Sequence, residues 1–73
     1  MNKKKERFIR VGSRRVEAVI KSLRLLSNCS NINNYDYNEE DINKMLRAIK
    51  EQMKITETMF KKHLTNPSNK FNF

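Results

Sequence analysis

The chain has little of what a self-sufficient enzyme domain usually contains. Its 73 residues include no tryptophan and only one glycine, one proline, one cysteine and one histidine. Apolar residues make up 37% of the sequence, which is low for a short domain. Because a chain of about 60 residues buries only about 60% of its unfolded surface, any core must be thin. An enzyme with an enclosed substrate pocket is therefore not expected.

The scarcity of cysteine and of long apolar runs predicts that the protein is located in the cytoplasm. Cys29 stands alone, so an intrachain disulfide is excluded, as is typical of proteins in reducing compartments. The longest apolar run is only Ala18 to Ile20, far short of a membrane span. The charged start is not followed by the apolar stretch of a signal peptide. We expect a cytoplasmic protein with no membrane partner.

Residues that could perform catalysis or hold a metal are also few. His63 falls in the last turn of a predicted helix, where positive charge is favoured, and it has no further ligands at metal-binding spacing. The acidic residues Glu39, Glu40 and Asp41 follow a helix cap, which explains them without catalysis. No nucleophile–base pair stands out. The sequence predicts a protein that is not an enzyme, with no catalytic residues, no metal site and no cofactor.

Helical periodicity is the strongest pattern in the first third of the chain. At about 100° per residue, one set of apolar residues falls within a sector about 120° wide. These residues are Phe8, Ile9, Val16, Val19, Ile20, Leu23 and Leu26. A set of basic residues falls within an almost opposite sector about 100° wide. This set, here called the basic stripe, is Arg7, Arg10, Arg14, Lys21 and Arg24. The pattern predicts an amphipathic helix over about 5–27, with Val11, Ala18 and Leu25 as apolar exceptions on the polar side.

Gly12 leaves two alternatives open for residues 5–12. In the first, the helix continues through Gly12 at a cost of roughly 1 kcal/mol relative to alanine. In the second, Ser13 caps a helix that begins at Arg14, and the preceding residues are extended. A strand followed by two helices would resemble the ribbon-helix-helix architecture of small DNA-binding dimers. A helix of only 13–27 would leave Met53–Leu64 without a partner, so either the first helix is long or the distal half of the second helix packs against another chain.

A second helix is predicted over about 38–65. Asn38 is a favourable N-cap, and three acidic residues occupy the first turn. Apolar or small residues then recur at helical spacing, and Pro67 ends the pattern. They are Ile42, Met45, Leu46, Ile49, Met53, Thr56, Phe60 and Leu64.

Two amphipathic helices and a connection over 28–37 predict an all-α fold. We expect an antiparallel helical hairpin forming one domain over residues 1–65, with a disordered tail over 66–73. Two helices bury only one seam, so a homodimer that forms a four-helix bundle is expected.

Charge is distributed unevenly along the chain. Residues 1–27 carry nine basic and two acidic side chains, a net charge of +7, whereas 28–41 carry four acidic side chains only. Residues 42–73 carry seven basic and two acidic side chains, a net charge of +5. Two intrahelical ion pairs are predicted on the second helix, Arg47 with Glu51 and Glu57 with Lys61.

The segment Leu25 to Met45, reading LLSNCSNINNYDYNEEDINKM, resembles a group of short uncharacterised proteins of low-GC Gram-positive bacteria, their phages and mobile elements. Arg15, Val16 and Phe60 extend the resemblance over residues 7–60. It implies no activity. It implies that the Asn-rich connection, with Tyr35 and Tyr37, has a defined structure.

The basic stripe predicts the function. A row of basic residues on one helix is typical of proteins that bind nucleic acid, and arginine suits phosphate through its bidentate fork. The sequence therefore predicts a small accessory or regulatory protein that binds nucleic acid through the five residues of the stripe. The alternatives are an interaction module, such as a phage-type inhibitor, that binds an acidic protein surface, and a solvated face that only keeps the chain soluble.

Overall fold

The computed structural model describes residues 2–64 and is entirely helical over that range. Helix α1 spans Lys3–Ser27, a short 3₁₀ helix spans Asn28–Ser30, and helix α2 spans Glu39–Leu64. No strand occurs between residues 2 and 64, so the prediction of an all-α chain is confirmed. The predicted tail over 66–73, and the predicted helical residue 65, lie outside the described residues.

Helix α1 begins two residues earlier than the apolar pattern predicts. The reason is a cap at Asn2, whose side-chain Oδ1 accepts a hydrogen bond of 2.8 Å from the backbone N–H of Lys4. The backbone N–H of Glu6 donates to the carbonyl of Asn2 at 3.1 Å. These bonds satisfy amide groups that a helix start leaves without an intrahelical partner. The helix can therefore include three consecutive lysines that lie unfavourably near the positive end of its dipole.

The helix is continuous through Gly12. No residue between 2 and 64 has a positive φ angle, and Gly12 lies in the interior of the 25-residue helix α1. The long-helix alternative is therefore the correct one, and the alternative in which Ser13 caps a shorter helix is wrong. The physical reason is that the apolar face keeps its phase across Gly12, and the cost of one glycine is about 1 kcal/mol.

The connection contains local hydrogen bonds that Asn31 accepts. After the 3₁₀ helix, Asn31 accepts bonds at its side-chain Oδ1 from the N–H of Asn33 (3.0 Å) and at its carbonyl from the N–H groups of Asn34 and Tyr35 (3.1 and 3.0 Å). Such bonds to nearby backbone groups are why asparagine favours turns over helices.

Helix α2 begins with a reciprocal cap. The Oδ1 atom of Asn38 accepts from the backbone N–H of Asp41 at 2.9 Å, and the Oδ2 atom of Asp41 accepts from the N–H of Asn38 at 3.0 Å. This arrangement is a capping box in which the acidic residue is aspartate. The prediction of Asn38 as the N-cap is confirmed, and so is the basic last turn, Lys61 to His63.

The chain consists of two units that divide between Asp36 and Tyr37, and each unit contains one of the long helices. Within residues 2–64 no side chain is buried. On α1 the exposed fractions of Phe8 and Leu23 are 56% and 42%, and on α2 those of Leu46 and Met53 are 42% and 64%. Each helix thus presents its apolar face at the surface of its own unit.

Candidate nucleic-acid interface

All five residues of the basic stripe lie on α1 and are exposed. Because α1 is one uninterrupted helix, the 100° step between residues holds from the first to the last of them. The residues therefore share one side of the helix over about 25 Å, at 1.5 Å per residue. The short-helix alternative would have separated Arg7 and Arg10 from the other three.

The side chains of the stripe are not engaged within the chain. Among residues 2–64, none of the five forms an ion pair or a side-chain hydrogen bond. Two of them have a glutamate at favourable i, i+4 spacing, Glu6 before Arg10 and Glu17 before Lys21. Neither glutamate approaches its basic neighbour within 4.0 Å, so the positive charge of the stripe stays available to a ligand.

The ion pairs that do form lie on α2. Glu40 pairs with Lys44 at 3.6 Å and Glu57 with Lys61 at 3.4 Å. The predicted pair of Glu57 and Lys61 is confirmed, whereas the predicted pair of Arg47 and Glu51 does not form within the described residues. In both pairs that form, the glutamate precedes the lysine, which is the better order on a helix. Arg47 precedes Glu51, which is the poorer order.

Lys3 extends the basic stripe. The sequence prediction omitted it because the helix was expected to begin at about residue 5. With the helix beginning at Lys3, this residue lies at spacings of four, seven and eleven before Arg7, Arg10 and Arg14, on the same side of α1. The signal that could have identified it is Asn2, a favourable N-cap immediately before the lysines. Lys5 lies elsewhere, with its Nζ 5.8 Å from the centroid of the Phe8 ring.

Each helix also carries apolar residues outside its main apolar face. On α2, Ile55 and Met59 are 57% and 50% exposed, and they border a shallow depression along that helix. On α1, Val11, Ala18 and Leu25 recur every seven residues beside the basic stripe. The sequence prediction did not include Ile55 and Met59, because the apolar face of α2 was assigned from other residues.

Three further findings concern metal binding, membrane crossing and the cysteine among residues 2–64. No group of three or more His, Cys, Asp and Glu side chains between residues 2 and 64 is placed to hold a metal ion. Neither of the two long helices has an apolar stretch sufficient to cross a bilayer. Cys29 is exposed and is not part of a disulfide.

Comparison of the chain with protein-family models, with curated proteins and with solved structures finds no match in any of the three.

Proposed function

We propose that this protein is a non-enzymatic accessory or regulatory protein that binds nucleic acid through the basic stripe of α1. The observation that carries the proposal is that the five basic side chains share one exposed side of a continuous helix and form no ion pair within residues 2–64. Their guanidinium groups match phosphate oxygens in a bidentate manner. The partner in this proposal is the phosphate backbone, with the location in the cytoplasm that an exposed single cysteine suits.

The charge of the stripe sets the expected dependence on salt. If five basic side chains each neutralise one phosphate of B-form DNA, the slope of log K against log salt is about −4.5. A fourfold rise in salt then lowers the binding constant by about 500-fold. If the charge served only solubility, removing basic residues from the stripe and removing equal charge from α2 would change the salt slope equally.

The test is a triple substitution within the stripe, Arg10→Gln, Arg14→Gln and Arg24→Gln. We expect the salt slope to fall from about −4.5 to about −1.8, measured by fluorescence anisotropy with labelled duplex DNA. The matched control is Arg47→Gln, Lys50→Gln and Lys54→Gln on α2.

The control removes the same charge from the other helix, so its slope should stay close to that of the unaltered protein. Absence of binding at low salt, or equal slopes for the two triple variants, would contradict the proposed function. Carboxylates on an acidic protein surface would also suit the arginine fork, and this is the competing function. It is favoured if the unaltered chain binds no nucleic acid and binds an acidic protein after nuclease treatment.

We further propose that the two helices pack as an antiparallel hairpin and that two chains form a four-helix bundle. The supporting observation is that each helix has a complete apolar face that stays exposed in its own unit, and such a face is stabilised by burial against another helix. A helix in a bundle contacts two neighbours and needs a broader apolar surface than a single seam. On α2, Met59 lies next to the main apolar face and widens that surface.

Light scattering at several protein concentrations tests the assembly. We expect a mass of about twice 8.8 kDa and a melting temperature that rises with concentration. A monomer of 8.8 kDa that melts cooperatively, independent of concentration, would contradict the dimer and leave the nucleic-acid proposal standing.

A further inference from the structure

Glu17 lies in the interior of the basic stripe, whereas Glu6 lies at its start, between Lys3 and Arg7. Between Arg7 and Arg24 the only acidic side chain is Glu17, which lies seven residues after Arg10 and seven before Arg24. Residues seven apart lie almost in line along a helix, about 10.5 Å from one to the next. Glu17 is therefore at the centre of a row with an arginine at each end.

Intrahelical pairing does not account for Glu17. Lys21 follows it by four residues, the same order and spacing as in Glu40–Lys44 and Glu57–Lys61. Those two pairs close on α2, whereas Glu17 forms no ion pair or side-chain hydrogen bond with another residue between 2 and 64. Glu17 is exposed, so its carboxylate is presented with the stripe rather than consumed within it.

The basic stripe consists of two rows, and only the row of Arg10, Glu17 and Arg24 contains a negative charge. A second row consists of Arg7, Arg14 and Lys21, also seven residues apart, and it contains no acidic residue. That row can follow a phosphate backbone without interruption. A phosphate placed over Glu17 would be repelled, because two negative charges would face each other. The part of the ligand over Glu17 must therefore offer a hydrogen-bond donor instead of a negative charge.

We infer that Glu17 accepts a hydrogen bond from the exocyclic amino group of cytosine while the uninterrupted row contacts the backbone. Carboxylates accept from this N4 amino group in protein–DNA recognition, and thymine has no amino group to offer. The inference rests on the proposed function, and it adds to it a preference for cytosine at one position.

The experiment compares oligodeoxycytidine with oligothymidine of about 20 nucleotides. The two strands have equal charge, and cytosine has the N4 amino donor where thymine has the O4 acceptor and a neighbouring methyl group. The full chain is measured by fluorescence anisotropy at one low salt concentration and neutral pH. We expect it to bind the cytosine strand about fivefold more tightly. The variant is Glu17→Ala, because alanine cannot accept a hydrogen bond and preserves the helix.

Glu17→Ala should move the two affinities in opposite directions. Binding to the cytosine strand falls by several-fold because the acceptor is lost, and binding to the thymidine strand rises about twofold because a repulsive charge is removed. The control Glu51→Ala removes an equal charge from α2 and should leave the ratio of the two affinities unchanged.

Three results would overturn the inference while leaving the proposed function intact. They are equal binding of both strands by the unaltered chain, a preference that survives Glu17→Ala, and an equal increase on both strands in that variant. If the unaltered chain binds neither strand nor duplex DNA at low salt, the proposed function itself fails, which is a different result.

Discussion

Replacing Gly12 by alanine is expected to stabilise the protein. Gly12 lies within α1 and has no positive φ angle, and a Cβ atom built on it meets nothing within 4 Å beyond its two neighbours and the adjacent helix backbone. The substitution therefore adds no steric clash within the unit that contains α1. A glycine in a helix interior is about 0.8–1.0 kcal/mol less favourable than alanine. We expect the free energy of unfolding to rise by about 1 kcal/mol.

The measurement is thermal and urea unfolding followed by circular dichroism at a fixed protein concentration. For a domain of 60–100 residues, a change of about 1 kcal/mol corresponds to a rise in Tm of about 4–8 °C. The helical signal of the native protein should not decrease. Gly12→Pro is the opposite perturbation, and it should cost about 3 kcal/mol because proline breaks a helix interior.

Ser13→Ala distinguishes the continuous helix from the shorter one. If α1 continues through Gly12, Ser13 is an interior helical residue, and alanine is slightly more favourable there. If instead Ser13 capped a helix beginning at Arg14, its loss would cost about 1 kcal/mol. A destabilised Ser13→Ala together with a Gly12→Ala that gains nothing would refute the reasoning. A Gly12→Ala variant that is less stable than the unaltered protein would also refute the continuous helix, whatever the result for Ser13→Ala.

Three smaller effects follow from the caps and ion pairs. Asn38→Ala removes the side-chain acceptor of the α2 cap and should lower the free energy of unfolding by about 1 kcal/mol, measured with urea. Asn38→Asp keeps an acceptor and should retain most of that stability. Glu57→Gln breaks the pair with Lys61 and should cost about 0.3–0.5 kcal/mol at low salt, with the difference disappearing at high salt. Arg47→Gln breaks no ion pair within the described residues and should leave stability unchanged; an equal loss would contradict the role of residue order. Asn2→Ala should speed amide exchange at the first turn of α1, and unaltered exchange would argue against that cap.

Much of the secondary structure could be predicted from short-range patterns. The second helix was located by Asn38, the acidic turn after it and apolar residues at a spacing of three and four. All of these act within one or two turns of a helix, so one sequence suffices to detect them. The start of α1 was missed by two residues because the cap at Asn2 precedes three lysines, which the helix dipole disfavours.

The arrangement of the basic residues on α1 could also be predicted from short-range patterns. The side of α1 on which Arg10, Arg14 and Arg24 lie depends only on helical periodicity, so their common face follows once the helix is continuous. Which charges pair with one another could not be read from spacing alone. Glu17 and Lys21 have the same spacing as Glu57 and Lys61, yet only the latter pair closes. Solvation by water nearly balances an exposed ion pair, so spacing does not decide which pair forms.

The sequence by itself determined that this protein is helical, that each helix is amphipathic, and that one side of α1 is basic. These properties follow from local propensity, capping and period, which need no contact between distant residues. The structure decided what the pattern had left open: α1 runs unbroken through Gly12, the cap at Asn2 starts the helix two residues earlier at Lys3, and Glu17 lies unpaired within the stripe. Those outcomes depend on small differences, about 1 kcal/mol for a glycine or a cap and less for a surface ion pair. Sequence patterns do not rank energies that differ by so little, so the outcome is known only from the positions of the backbone and side-chain atoms.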